Sequence, residues 1–332
     1  TIVFFRLRLR ELGKIFLPES FYNFRMDNLL FFGAIDMSQD ITLIINPSAG
    51  KGMAKTYLYD ILAEFCHAGY RTSVYITEKA GDATRYASAH GRDAPLLVCV
   101  GGDGTLSEVV SGLMPMDREI RPSIGYIPLG TANDVASSLK LARQPKIAAK
   151  NIIHGKPTPI DIGRFGDAYF SYIAAFGAFT EVSYSTPQES KRALGHLAYV
   201  LEGMASLPKI TTEHVLVEYD DGSVEGDYVF GSVSNSTSVA GIVKLRPDDV
   251  SLSDGMFEIV LVKMPTNIAD FNNMAANLLA QNLEVDNILF LHSQKVKFTF
   301  SEEVAWTRDG ENGGIVKSVE VENCHHALTY IV

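Results

Sequence analysis

The 332-residue sequence predicts an α/β domain with a parallel sheet, followed by an antiparallel β-sandwich domain. Two observations predict it. Three apolar runs, Ile41–Ile45, Leu96–Val100 and Ser123–Pro128, each end in a small-residue loop, and helix-like segments alternate with them. Such alternation implies a parallel sheet with helices on its faces. After about His154 the pattern changes to strand-like runs separated by Gly and Asp turns, the mark of an antiparallel sandwich.

The elements follow in chain order. Thr1–Asp36 shows no clean period and reads as an extension upstream of a first domain spanning 37–155; a second domain spans 156–332. An alternative for 1–36 is a membrane-surface anchor, since Arg6, Arg8, Arg10 and Lys14 interleave with Phe4, Phe5, Leu7, Leu9 and Ile15. The first strand leads through Asn46–Gly52 to a helix over Thr56–Ala68, a strand over Thr72–Thr77 and a helix over Ala80–His90. Leu96–Val100 runs into Gly101–Thr105 and a helix over Leu106–Leu113; Ser123–Pro128 runs into Gly130–Asp134 and another helix. Beyond His154, Pro159–Phe165 and Tyr169–Phe176 read as a hairpin, as do Val215–Tyr219 and Val224–Val233, the latter across an Asp-Gly turn. Further strands are predicted at Met256–Val262, Lys295–Phe300, Val304–Thr307, Val319–Glu322 and Ala327–Ile331, with helices at Glu189–Leu207 and Asn267–Gln281.

The loops carry the chemistry. Gly101-Gly102-Asp103-Gly104-Thr105 lets backbone approach a phosphate, and the following helix N-terminus presents free N–H groups to an anion. Asp103 can orient a magnesium ion or its waters. The loop is neither a Walker A nor a dinucleotide fingerprint, because the third glycine of the latter falls on Ser107. Taken singly, each loop is also compatible with an ordinary turn, with Thr131, Asn133 or Asp134 as a helix cap. Three together, at the carboxyl ends of predicted parallel strands, mark a ligand cleft.

A net charge of −10 argues against nucleic-acid binding. Cys66, Cys99 and Cys324 are widely spaced and read as free buried thiols of a reducing compartment. No apolar run is long enough to span a membrane. The histidines form no chelating cluster, and His325-His326 should face opposite sides of a strand.

Asn46-Pro-x-Ala-Gly-Lys, Gly101-Gly-Asp-Gly-Thr-Leu-x-Glu and Gly130-Thr-Ala-Asn-Asp, in this order, resemble the catalytic domain of the diacylglycerol kinase family. The nearest likeness is to its bacterial lipid-kinase branch, related to sphingosine and ceramide kinases, from about Ile41 to the C-terminus. NAD kinases and 6-phosphofructokinases share the Gly-Gly-Asp-Gly loop but not the Gly130–Asp134 pattern. The resemblance implies an ATP-binding first domain and ATP-dependent phosphorylation of a lipid hydroxyl, foremost diacylglycerol to phosphatidic acid. ATP and Mg2+ are the implied cofactors. Asn46, Pro47, Ser48, Ala49, Gly50, Thr77, Gly102, Asp103, Gly104, Thr105, Leu106, Ser107, Glu108 and Thr131 are the implied nucleotide contacts.

By the same resemblance Glu311 of Asp309-Gly310-Glu311 is the general base, Asp103 and Asp134 lie by the catalytic magnesium, and Lys51 and Lys191 add positive charge. A structural magnesium falls to Asp254 with the carbonyls of Ser251 and Met256; the alternative there is a plain Asp-Gly turn. The implied setting is cytoplasmic, peripheral at the inner membrane surface, with a membrane lipid as partner and a homodimer as assembly. An acidic protein would need local basic patches to dock there, and Lys191-Arg192 and Lys295/Lys297 are candidates. Bacterial relatives often continue past the last strand into a segment that returns to the first domain, whereas this sequence ends about twenty residues after Glu311; a looser hinge between the domains and an absent tail are both open. Two other functions stay open: a kinase of a soluble metabolite, as in NAD kinase, and a catalytically silent lipid-binding or regulatory protein on the same fold. Removing residues 1–36 is expected to leave turnover of a micellar lipid nearly unchanged, measured on the full and shortened chains. A collapse of turnover would place that segment inside the fold.

Overall fold

The apolar runs of the first half form a sheet buried between helices. In the computed structural model, described residues are 40–93, 95–177, 211–239, 243–244 and 250–332, the last without 268–269, 271–272, 275, 278–281 and 284. The 1–36 extension, the helix expected at Glu189–Leu207 with Lys191 and Arg192, and much of that expected at Asn267–Gln281 lie outside the described residues.

Strand β1 (Asp40–Ile45), helix α1 (Ala49–His67), β2 (Arg71–Ile76), α2 (Asp82–His90), β3 (Leu96–Gly101), α3 (Asp103–Leu113), β4 (Ser123–Pro128), α4 (Asp134–Ser138) and α5 (Pro145–His154) follow in order. β1 pairs in parallel with β2 and β3, and β3 with β4. Every residue of β3 is buried, as a parallel strand covered on both faces requires. On one face Ala54, Ile61 and Phe65 of α1 join Ala148, Ala149 and Ile152 of α5. On the other lie Ala83 and Ala87 of α2 with Leu106, Val109, Val110 and Leu113 of α3. Two helices start earlier than the apolar pattern suggests: α1 at Ala49, not Thr56, and α3 at Asp103, not Leu106. Loop residues are thereby the first helical turns, whose N–H groups have no intrahelical acceptor.

The second half comprises β5 (Pro157–Phe165), β6 (Ala168–Phe170), β7 (Ile173–Gly177), β8 (Glu213–Tyr219), β9 (Gly222–Ser234), β10 (Ser238–Val239), β11 (Val243–Lys244), β12 (Phe257–Lys263), β13 (Ile288–Ser293), β14 (Lys295–Arg308) and β15 (Glu311–Ile331). Its core is aromatic: Phe165, Phe170, Phe176, Phe257, Phe298, Phe300 and Trp306 pack between β8, β14 and β15 and the strands β7, β9 and β12. The hairpin expected at Pro159–Phe176 closes for only three residue pairs, β5 with β6. The chain then breaks at Ser171-Tyr172, and β7 pairs with β9 and β14 instead. The strand pairs expected at 295–307 and 319–331 are each one strand with a bulge, because a ladder absorbs extra residues without ending. β13, built on the apolar run Ile288-Leu289-Phe290-Leu291, is not among the expected strands.

The last strand, β15, itself returns to the sheet of the first half. It pairs antiparallel with β14 and β5, then parallel with β4 at Thr329 and Tyr330. One sheet therefore runs β13-β12-β9-β7-β14-β15-β4-β3-β1-β2, and Lys156 and Val332 exchange backbone hydrogen bonds at its seam. Lys295 pairs with Glu320 and Lys297 with Glu218 at the surface. Of the thiols, Cys99 is buried, Cys324 half-buried and Cys66 exposed, all free. Among the described residues no helix is long and apolar enough to cross a membrane.

Glu258 of β12 is 1 % exposed. Burial pushes its carboxyl up to about 9, so it is neutral at pH 7. A folded-state value above the unfolded one removes stability as pH rises from the ordinary carboxyl range toward 9, at about 1.4 kcal/mol per pH unit. Glu258→Gln is expected to flatten the alkaline fall in Tm; parallel Tm–pH curves for variant and wild type would show that the acid ionises freely.

Candidate active site

Three loops leave the carboxyl ends of β1, β3 and β4 and meet. The Asn46 side-chain amide donates to Thr105 Oγ1 at 3.0 Å, while its carbonyl oxygen accepts the Ser48 N–H at 2.9 Å. This ties the first loop to the glycine loop. Gly102 and Gly130 meet backbone to backbone; a Cβ on Gly130 would lie 2.7 Å from the Gly102 Cα. No side chain fits between these two loops, which explains both glycines. Thr77 closes the edge through its N–H to the Ile45 carbonyl at 2.9 Å. Glu108 builds the opposite wall, its two oxygens accepting N–H groups of Gly81 and Ala83 at 2.9 and 3.0 Å.

Acidic groups converge above this floor. Glu311 follows the Asp309-Gly310 turn, both residues with positive φ, and its Oε1 is 3.3 Å from where a Gly104 Cβ would stand. Asp309 is buried and orders the turn. Its carboxylate accepts N–H groups of Ser171, Tyr172 and Ile173 at 2.7, 3.0 and 3.3 Å, and the Ser107 hydroxyl bonds to it. Burial nevertheless raises the Asp309 carboxyl above its ordinary range. Asp103 Oδ2 accepts the Asp134 N–H at 3.2 Å, whereas its Oδ1 is buried with no partner. Burial, then the Asp134 charge, push the Asp103 carboxyl up to about 6. A buried carboxylate beside further acids, with an unused oxygen, fits a divalent cation, which would reverse both effects.

These groups line a cavity of about 830 Å³. Of the expected nucleotide contacts, Asn46, Ser48, Ala49, Gly50, Thr77, Gly102, Asp103, Gly104, Thr105, Ser107, Glu108 and Thr131 line it, as does Glu311. Pro47 does not, and Leu106 packs in the core at 0 % exposure because α3 already begins at Asp103. Asp134 reaches the cavity through Asp103. Lys51 lies in the first turn of α1. Sequence reasoning missed Tyr169, Tyr172, Arg308 and Asp309, which also line the cavity. Arg308 and Asp309 adjoin a motif residue, but the two tyrosines had no signal: Tyr169 stands on β6 and Tyr172 at the break between β6 and β7.

Ser251, Asp254 and Met256 lie elsewhere, on the loop before β12. Asp254 Oδ1 accepts the Met256 N–H at 3.0 Å, and the Met256 carbonyl accepts from Asn323. Beside them two expectations are overturned, that His325 and His326 diverge and that the histidines form no chelating cluster: ligand atoms of Asp161, His325 and His326 lie within 4.8 Å of one another. A bulge between Cys324 and Leu328, with His326 at φ 51, stacks both rings 3.6 Å apart beside buried Asp161. Asp161 accepts N–H groups of Gly255 and His326 at 2.7 and 2.6 Å, and His326 Nε2 donates to the Ser253 carbonyl at 3.0 Å. This cluster anchors the loop.

The diacylglycerol kinase catalytic domain family matches residues 40–165, and the family described as YegS C-terminal NAD kinase beta sandwich-like domain matches 175–331. A diacylglycerol kinase of Bacillus subtilis (strain 168) is 39% identical over 287 residues, covering 86% of this chain and 93% of the relative. One from Staphylococcus epidermidis (strain ATCC 12228) is 36% identical, covering 84% and 87%. The crystal structure of a candidate diacylglycerol kinase from Bacillus anthracis str. Sterne superposes with a TM-score of 0.77 at 28% identity, covering 90% of this chain and 96% of that one.

The raised Asp103 value has a stability consequence. Above the ordinary carboxyl range, ionising Asp103 costs the fold about 2–3 kcal/mol, fully present once pH exceeds about 6. Asp103→Asn is therefore expected to raise Tm at pH 7 and not at pH 4, and magnesium to stabilise wild type more than the variant. Equal Tm differences at both pH values would remove the buried charge from the account.

Proposed function

The chain belongs to the diacylglycerol kinase family, and from that premise we propose that it transfers the γ-phosphoryl group of ATP to the free hydroxyl of diacylglycerol. The observation that carries this reading is Glu311 Oε1 beside Gly104, one residue from Asp103. It supports a base held over a phosphate-binding loop, where acceptor and nucleotide would meet.

ATP lies with its phosphates on the loops of Asn46–Gly50, Gly102–Thr105 and Gly130–Thr131. Asp103, with Asp134 beside it, would hold a magnesium ion, which when bound would offset the phosphate charge. Lys51 and Lys191 would add positive charge. Glu311 takes the hydroxyl proton of the acceptor, which a positioned base accelerates about 10²–10⁴-fold. Asp309 keeps Glu311 in place by binding three consecutive backbone N–H groups. Asp254, with the carbonyls of Ser251 and Met256, would hold a second, structural magnesium. The acceptor is a membrane lipid, so the protein would work at the inner bilayer surface.

Glu311→Gln tests the reading. Glutamine keeps the shape of the side chain and cannot take the proton. Turnover of diacylglycerol in mixed micelles is expected to fall about 10²–10⁴-fold, with ATP affinity and Tm nearly unchanged. Near-normal turnover, or loss explained by unfolding, would remove Glu311 from the mechanism. Turnover of a water-soluble alcohol such as NAD in preference to the lipid would replace the acceptor.

A further inference from the structure

We infer that Arg308 is the cation that holds the oxygens of the transferred phosphoryl group, on the acceptor side of the cavity. The inference rests on the phosphoryl-transfer reading above. Arg308 ends β14 and is paired in the ladder with Glu311 on one side and Ala174 on the other. Directly opposed residues of a ladder share a face and lie close together. Arg308 is thus a neighbour of the proposed base, on the wall contributed by the second half of the chain.

The cavity wall is otherwise acidic. Five carboxylates line it against two cations among the described residues, Lys79 and Arg308. Lys79 stands on the loop before α2; Arg308 is the cation beside Glu311. Two of the carboxylates, Glu108 and Asp309, are engaged by backbone N–H groups, so they do not balance the guanidinium. Arg308 itself is under-used. One amino group donates to the Tyr169 carbonyl at a long 3.4 Å, and its Nε is buried with no acceptor. A guanidinium offers five donors in a planar fork that matches phosphate oxygens. Arg308 lines the cavity while its Nε is closed off from it, so phosphoryl oxygens would meet the amino end of the fork.

The step balances without Arg308 changing protonation. The acceptor hydroxyl oxygen forms a bond to the γ-phosphorus, and the bond from that phosphorus to the β,γ-bridging oxygen breaks. The electron pair leaves on ADP, and the hydroxyl proton goes to Glu311. Arg308 binds the non-bridging oxygens throughout, where fixed positive charge favours in-line transfer. The same oxygens belong first to ATP and then to the phosphomonoester of phosphatidic acid.

The test uses the full chain, with Arg308→Gln and Arg308→Lys. Readouts are turnover on diacylglycerol micelles, affinities for ATP and ADP, inhibition by phosphatidic acid, and Tm. Arg308→Gln is expected to lower kcat about 10²–10³-fold with ADP affinity and Tm unchanged, and millimolar guanidinium is expected to restore part of the rate. A selective loss of ATP over ADP affinity assigns the contact to the nucleotide's γ-phosphate; weaker phosphatidic acid inhibition alone assigns it to the product. Either supports the inference. Turnover within about threefold of wild type, with the ATP/ADP preference and product inhibition intact, overturns it. So does a loss of rate that tracks Tm and ADP affinity in both variants, since that describes a purely structural arginine. If wild type phosphorylates no lipid, the functional reading fails, while the ATP/ADP preference of the two variants still decides the role of Arg308.

Discussion

The carboxylate of Asp309 is the joint on which the site depends. It accepts three consecutive backbone N–H groups from Ser171, Tyr172 and Ile173, and the Ser107 hydroxyl of α3 bonds to it as well. Those bonds link the glycine-loop helix, the break between β6 and β7, and the turn that carries Glu311. The Asp309 N–H completes the joint by donating to the Ile173 carbonyl at 2.8 Å. Hydrogen bonds to a buried ionisable group are among the stronger ones in a protein. Their number explains why a turn of two residues with positive φ holds one geometry.

The return of β15 gives that joint a rigid frame. Because the strand leaving Glu311 ends in parallel register beside β4, the base and the glycine loops belong to one continuous sheet. Backbone contact between Gly102 and Gly130 then sets the spacing of the loops, and Glu311 rests on Gly104 without a side chain between them. The consequence is a crowd of acids in a poorly solvated place. Asp103 bears the cost in its raised proton affinity, an arrangement that cations relieve. The proposed magnesium and Arg308 both answer this one electrostatic demand, from opposite walls of the cavity.

Much of the site is legible in single stretches of chain. Asn46, Gly102–Thr105 and Thr131 are found because each follows an apolar strand run and precedes a helix, a pattern local in sequence. Glu311 is found only through its motif, since an Asp-Gly-Glu turn by itself is ordinary hairpin chemistry. Tyr169 and Tyr172 are not legible, because the first is placed by the pairing of β6 with β5 and the second by Asp309, far along the chain, which captures the backbone between β6 and β7. His325 and His326 mislead for a related reason. The two-residue alternation of a strand sends neighbours to opposite faces, and a bulge cancels it without leaving a mark in composition.

By itself the sequence determined the alternation of strands and helices in the first half, the strand-rich second half, the three phosphate-type loops and the family they resemble. These depend on residue type and short-range period, which act before any distant contact forms. The tertiary structure decided where the loops meet, how high the Asp103 carboxyl is pushed, and which side chains share a cavity with Glu311. It also decided that the last strand closes the sheet against β4. Each of those is set by pairing between segments far apart in the chain, and burial and strand register exist only once that pairing has formed.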